Sequence, residues 1–166
     1  NLKEIPKIAH FYWGSPRMSF LRYMTIASFK KQNPDWSIYL YVPKNVSTEI
    51  YWRTLGGDEK HCSDSVDYTG DDYFGRLLEE VSIKTIKVDF SKTIIGSNAP
   101  EAHKSDLLRW KVLSTTGGIW SDMDILYVKP LCESYLNSNS KKNTLVCYDL
   151  DPDRGLNVIP IGFLGS

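Results

Sequence analysis

The chain has 166 residues, with 20 basic and 20 acidic side chains and a formal net charge of zero. No single-sign charge field is available, which sets nucleic acid aside as a partner, because a polyphosphate backbone calls for a basic surface. With 42% hydrophobic residues a chain of this length can bury the core of one globular domain. Its apolar stretches fall far short of the roughly 20 residues that cross a bilayer, and Asn1 to Lys7 carry charges where a secretory signal needs an apolar centre.

Cys62, Cys132 and Cys147 form no C-x-x-C pair, which argues against a disulfide scaffold or a structural zinc site. Unpaired thiols point to an intracellular, cytoplasmic setting. The secretory-pathway lumen is the alternative if an N-terminal anchor is missing from the chain. The five Trp, ten Tyr and six Phe supply either core or flat faces for stacking on sugars and bases, and composition does not separate the two.

In chain order, Ile5 to Trp13 is an apolar run that reads as a buried strand ending at Gly14. A helix is expected next, with Ser15 as N-cap, Pro16 in its first turn and Leu21, Met24, Thr25 and Ser28 along one face, until Asn33-Pro34 stops it. Ser37 to Val42 alternates as a strand. A short helix from Ser47 or Thr48 to Leu55, a loop from Gly56 to Asp72, a helix from Tyr73 to Val81 and a strand from Ile83 to Phe90 follow. After the irregular Ser91 to Ala99, a helix is expected from Pro100 to Thr116 with Gly117-Gly118 as its stop, then a strand from Ile119. A short helix after Pro130, a polar loop from Asn137 to Asn143 and strands at Thr144 to Tyr148 and Leu156 to Leu164 complete the chain. Strands alternating with helices predict an α/β sandwich with a mostly parallel sheet, its ligand lying beyond the carboxyl ends of the strands.

Two carboxylates at i and i+2 of an extended segment share one side, so Asp122 and Asp124 are placed to face one hard divalent cation. The pattern alone is weak. With 13 Asp in the chain, chance gives about one D-x-D, and two others occur, Asp149-Leu150-Asp151 and Asp151-Pro152-Asp153. Those sit in a sequence that reads as a solvated polar turn. Asp122 and Asp124 instead end an apolar strand and precede Ile125, Leu126 and Val128, where two uncompensated charges at the core boundary are costly and a metal would compensate them. One turn apart on the preceding helix are Asp106 and Arg109, with His103 a turn earlier; alone they make an ordinary helix ion pair. Trp13 is open to two readings, a nucleobase platform or a core Trp at a strand end.

Ile5 to Gly14 (IPKIAHFYWG), His103 to Trp110 (HKSDLLRW), Gly117 to Asp124 (GGIWSDMD) and Pro130-Leu131 together resemble the glycosyltransferase sugar-binding family with a D-x-D motif. That family includes α-mannosyltransferases and is related to the glucosylating domains of large clostridial toxins. The resemblance covers most of the chain and is most specific between Ala102 and Leu131. It implies a GT-A-type, Rossmann-like sandwich, a nucleotide-sugar donor such as UDP- or GDP-hexose, Mn²⁺ or Mg²⁺ as cofactor, and retention of anomeric configuration. By the same resemblance Trp13, with Tyr12 beside it, binds the donor's base, and Asp106 and Arg109 bind ribose and sugar hydroxyls. Asp122 binds donor and metal, Asp124 is the direct metal ligand, and Asp122, Asp124 and Arg109 form the catalytic set.

The resemblance leaves the acceptor open: glycan, protein or lipid. The segment from Leu55 to Tyr73 is short beside the insertions that target toxin-like members, so no toxin-like acceptor is expected. The chain stops at Ser166, earlier than the family pattern, so the reading is a single domain over residues 1–166 truncated at its C-terminal end, or a site completed by another chain. A sugar-phosphate nucleotidylyltransferase would need a Gly-rich loop after the first strand, where only Gly14 stands. A haloacid-dehalogenase-type phosphatase would carry its D-x-D on the first strand. The alternative from another class is a non-catalytic nucleotide-sugar or carbohydrate-binding module.

Overall fold

The computed structural model describes residues 5–46, 68–131, 144–146, 149–151, 156–158 and 163–166. The elements in order are β1 (Ile8–Tyr12), α1 (Phe20–Gln32), β2 (Ser37–Pro43), α2 (Phe74–Glu80), β3 (Lys84–Val88), a 3-10 turn (Phe90–Lys92), α3 (Glu101–Thr115), β4 (Ile119–Ser121), β5 (Leu145–Val146), β6 (Asp149–Asp151), β7 (Leu156–Val158) and β8 (Phe163–Gly165). The main sheet runs β3-β2-β1-β4-β8-β5. β3, β2, β1 and β4 are mutually parallel, β8 is antiparallel to both β4 and β5, and β6 and β7 form a separate antiparallel pair. The expected mixed α/β class with a mostly parallel sheet is what the chain adopts.

Strand alternation builds two cores, one on each face of the sheet. Ala9, Phe11, Ile38, Leu40 and Ile119 turn to one face and pack with Tyr23, Ile26 and Phe29 of α1 and Leu77 of α2. Tyr12, Tyr41 and Trp120 turn to the other and pack with Phe90 and with Leu108, Val112 and Leu113 of α3. A strand covered on both faces needs apolar side chains at successive positions, which is why β1 reads as an unbroken apolar run.

Several local expectations are corrected. α1 starts after Ser19, not at Ser15-Pro16, because the chain first makes a bend tied to the segment before α2: Arg17 Nη1 donates to the Gly70 carbonyl and the Met18 amide to Asp72 Oδ1. Its buried residues are Tyr23, Thr25, Ile26, Ser28 and Phe29, while Leu21 is exposed. The helix packs on the sheet and also on the segment after β4, so its covered face is wider than one apolar stripe and rotated from the Leu21–Met24 line. The expected strand from Leu156 to Leu164 is two strands in different sheets. Asp149-Leu150-Asp151, expected in a turn, forms β6. The expected helices at 47–55 and after Pro130, the loop at 137–143, and all three cysteines lie wholly or almost wholly outside the described residues. No helix among the described residues is long and apolar enough to cross a membrane.

Candidate functional site

The site is assembled by the turn between α3 and β4. Gly117 and Gly118 have φ of +71° and +101°, left-handed values that glycine adopts without steric cost. The approach is also tight, since a Cβ at Gly118 would lie 2.4 Å from the Ile8 carbonyl oxygen. The turn sends the chain from α3 straight into β4 beside β1, so the end of β4 comes back under the middle of α3.

There Arg109, 3% exposed, reaches across. Its Nη2 donates to Asp122 Oδ1 at 3.0 Å, and its Nη1 lies 3.1 Å from Asp106 Oδ1 as an ion pair. The Trp120 indole N–H donates to the same Asp122 Oδ1 at 2.9 Å, and the guanidinium lies 5.5 Å from the Trp120 ring centroid. Asp106, Arg109 and Asp122 are thus one constellation, with the carboxylates partly open and the guanidinium buried. Arg109 Nε and Nη1 have no hydrogen-bond partner among the described residues. Burial pushes the Asp122 carboxyl above its usual value; the Trp120 hydrogen bond and Arg109 act against that, and the charge of Asp124 adds to it.

Beyond Ser121 the backbone leaves the extended form, and Met123-Asp124 make a turn. The strand alternation invoked to put both aspartates on one side therefore does not apply: Asp122 lies just past β4 and Asp124 is exposed on the turn. The turn is held by α1. Thr25 Oγ1 donates to the Met123 carbonyl at 2.9 Å, the Tyr127 amide donates to Ser28 Oγ at 3.1 Å, and the Tyr127 hydroxyl donates to Ser121 Oγ at 2.7 Å. The sequence reasoning named Thr25 and Ser28 only as positions on one helix face and Trp120 only within the Gly117–Asp124 motif, and took none of these, nor Tyr127, as a site residue. Only Trp120, two residues before Asp122, carried a local signal.

Trp13 is in the core at 3% exposed, its indole N–H donating to the Arg17 carbonyl and the Arg22 guanidinium 6.0 Å from its ring centroid. Of its two readings the burial and packing are those of the core Trp. Tyr12 is also buried, and its hydroxyl donates to Glu101. Neither joins the Arg109 constellation. His103 is exposed on α3.

Asp122 and Asp124 suit a hard cation that takes its remaining ligands from phosphate and water, the usual pattern for Mg²⁺. Among the described residues no group of three His, Cys, Asp or Glu side chains converges on a cation position.

A family model described as the glycosyltransferase sugar-binding region containing the DXD motif matches residues 20–145. Six solved chains are similar. One, titled PaToxG Glycosyltransferase, has a TM-score of 0.50 and 20% identity over 78% of this chain, a likeness of fold. The present chain spans 46% of the length of that one. No curated protein matches. With its D-x-D just past the end of β4 and most of its length inside the family model, the chain belongs to the glycosyltransferase sugar-binding family containing the DXD motif.

Proposed function

We propose that this glycosyltransferase domain binds a nucleoside-diphosphate hexose, UDP- or GDP-linked, with Mn²⁺ or Mg²⁺, and transfers the hexose with retention to a glycan, protein or lipid hydroxyl. The observation that carries the reading is the Arg109 constellation: a buried guanidinium paired with the partly open carboxylates of Asp106 and Asp122, its Nε without a hydrogen-bond partner among the described residues. A buried donor left without a partner is costly, and a sugar or ribose hydroxyl or a phosphate oxygen supplies the missing acceptor.

Arg109 would hold the donor and keep its charge at any working pH, since a guanidinium does not deprotonate. Asp106 and Asp122 would accept hydrogen bonds from ribose and sugar hydroxyls, with Asp122 oriented by Trp120. The exposed Asp124, aided by Asp122, would hold the cation, and the mutual field of the two carboxylates favours one there. When bound, the cation supplies charge neutralisation for the departing diphosphate. In the proposed reaction the acceptor oxygen bonds to the anomeric carbon on the leaving-group face, the carbon–oxygen bond to the diphosphate breaks, and the acceptor proton passes to a diphosphate oxygen. No second carboxylate base is then needed, unlike in the two-carboxylate glycosidase scheme. Trp13 is 3% exposed, and a contact of its ring with the donor's base rests on the family resemblance alone.

Calorimetric titration of UDP, GDP and their hexose conjugates, with and without Mn²⁺, tests the reading. Metal-dependent binding that falls at least about tenfold in Asp122→Asn and Asp124→Asn is expected, on the order seen when metal-site groups are removed. Wild-type chain that binds none of these ligands overturns it. Binding without transfer or hydrolysis of the sugar would favour the non-catalytic module.

A further inference from the structure

The ends of β1 and α3 are joined by a buried polar cluster that the donor constellation does not use. Tyr12 closes β1 and donates its hydroxyl hydrogen to Glu101 Oε2. Glu101 opens α3 and is 2% exposed. Lys104, one turn on and fully buried, donates to Glu101 Oε1 at 2.6 Å, and its ammonium lies 5.4 Å from the Phe90 ring centroid. Gly14, two residues past β1, lies against the same carboxylate: a Cβ there would fall 1.9 Å from Glu101 Oε2.

A buried ion pair is a poor way merely to gain stability, because desolvation offsets most of its attraction. What it adds over an apolar contact is direction. One Glu101 oxygen is tied to the sheet through Tyr12 and the other to Lys104 on the same helix, so the carboxylate is held in place on α3 and anchors its first turn to the end of β1. Asp106 and Arg109 sit on the turns that follow. A rotation of about 10° moves a side-chain tip about 6 Å from the helix axis by about 1 Å, and a misplacement of that size can cost about a hundredfold in the rate of a positioned reaction.

We propose that Tyr12, Glu101 and Lys104 form a brace that positions Asp106 and Arg109 for the donor's sugar, and that Tyr12 is a positioning residue acting through Glu101 without touching the donor. The proposal rests on the donor-site reading above. It replaces the expected role of Tyr12 as a donor contact.

Tyr12→Phe keeps the ring packed edge-on to Phe90 and removes only the hydroxyl. Glu101→Gln keeps the shape and an oxygen for Lys104, and serves as the second variant. The full chain is titrated with Mn²⁺ and each of UDP, GDP, UDP-glucose, UDP-N-acetylglucosamine and GDP-mannose, while hydrogen exchange follows the α3 amides in the free protein. In both variants nucleotide-sugar affinity is expected to fall at least about tenfold, with a smaller loss for the bare nucleotide, which meets Asp106 and Arg109 through ribose and phosphate alone, and with faster exchange from Lys104 to Arg109. A purely structural role lowers stability without this selectivity for the sugar. Equal losses for nucleotide and nucleotide-sugar, or no loss of either, overturn the brace. Unchanged exchange in α3 overturns it as well, whatever the ligand data. Wild-type chain that binds no nucleotide overturns the donor reading and takes this role with it, so the two failures are distinguishable.

Discussion

Arg109 is the residue on which the site turns, and its partners show how much a motif can say. The i, i+3 spacing of Asp106 and Arg109 was legible as a helix pair, and the pair forms. The third member, Asp122, was legible only as half of a D-x-D, since nothing in a linear spacing of 13 residues says that a guanidinium will reach a carboxylate across a turn. Gly14 carries a comparable hidden constraint. It reads as a loop glycine, yet it is glycine because the Glu101 carboxylate occupies the space of its Cβ. Gly14→Ala must push that carboxylate off Tyr12 and Lys104, and a loss of about 2 kcal/mol is expected, in the range for overpacking a filled interior. Urea unfolding of the variant measures it; a change below about 0.5 kcal/mol would mean that the loop yields and the carboxylate stays in place.

Elements with a strong local signal were legible, and those shaped by a neighbour were not. α3 begins just after Pro100 and stops ahead of a Gly-Gly pair in left-handed geometry, within a residue of what its sequence indicates. α1 lacks such an edge: Ser19 makes no side-chain cap hydrogen bond, and its start is decided by the ties between residues 17–18 and 70–72. The Gly117-Gly118 turn is the element-scale test. Gly118→Ala meets both a left-handed φ and the Ile8 carbonyl, and a loss of about 3 kcal/mol is expected from backbone strain and overpacking together. Because the same turn delivers Asp122 to Arg109, the variant is expected to lose nucleotide affinity along with stability. Thermal unfolding and calorimetry on one preparation check both, and intact affinity in a destabilised variant would detach the turn from the site.

At the scale of the molecule, His10 links three elements from the centre of β1. Its Nε2 donates to the Gly117 carbonyl at 2.9 Å and its Nδ1 accepts from the Tyr41 hydroxyl at 3.0 Å, the tautomer that the carbonyl partner imposes. The Tyr39 and Tyr41 rings pack against it. Burial lowers its pKa below 6.5, with the Gly117 hydrogen bond acting against the shift. In the window below 6.5 the unfolded chain therefore binds more protons at this position than the folded one, so the stability contributed by neutral His10 is full above 6.5 and is lost as the pH falls through that window. Denaturant unfolding at about pH 7.5 and about pH 5.5 is expected to show a drop in wild type that is reduced in His10→Gln. An equal drop in both would assign the acid sensitivity to other groups.

The order of strands and helices, the two-sided burial of β1, the boundaries of α3 and the D-x-D were all present in the sequence, because each depends on residue types at local spacings of two to four positions. The tertiary structure alone decided that Asp122 and Asp124 flank a turn, that Arg109 joins Asp106 to Asp122, and that Tyr12 is bound to Glu101. It also decided that Trp13 is core and that the last apolar run divides between two sheets. These are matters of which side chains meet across long separations. A sequence pattern fixes the face a residue occupies, whereas only the packed chain fixes the atom it meets there.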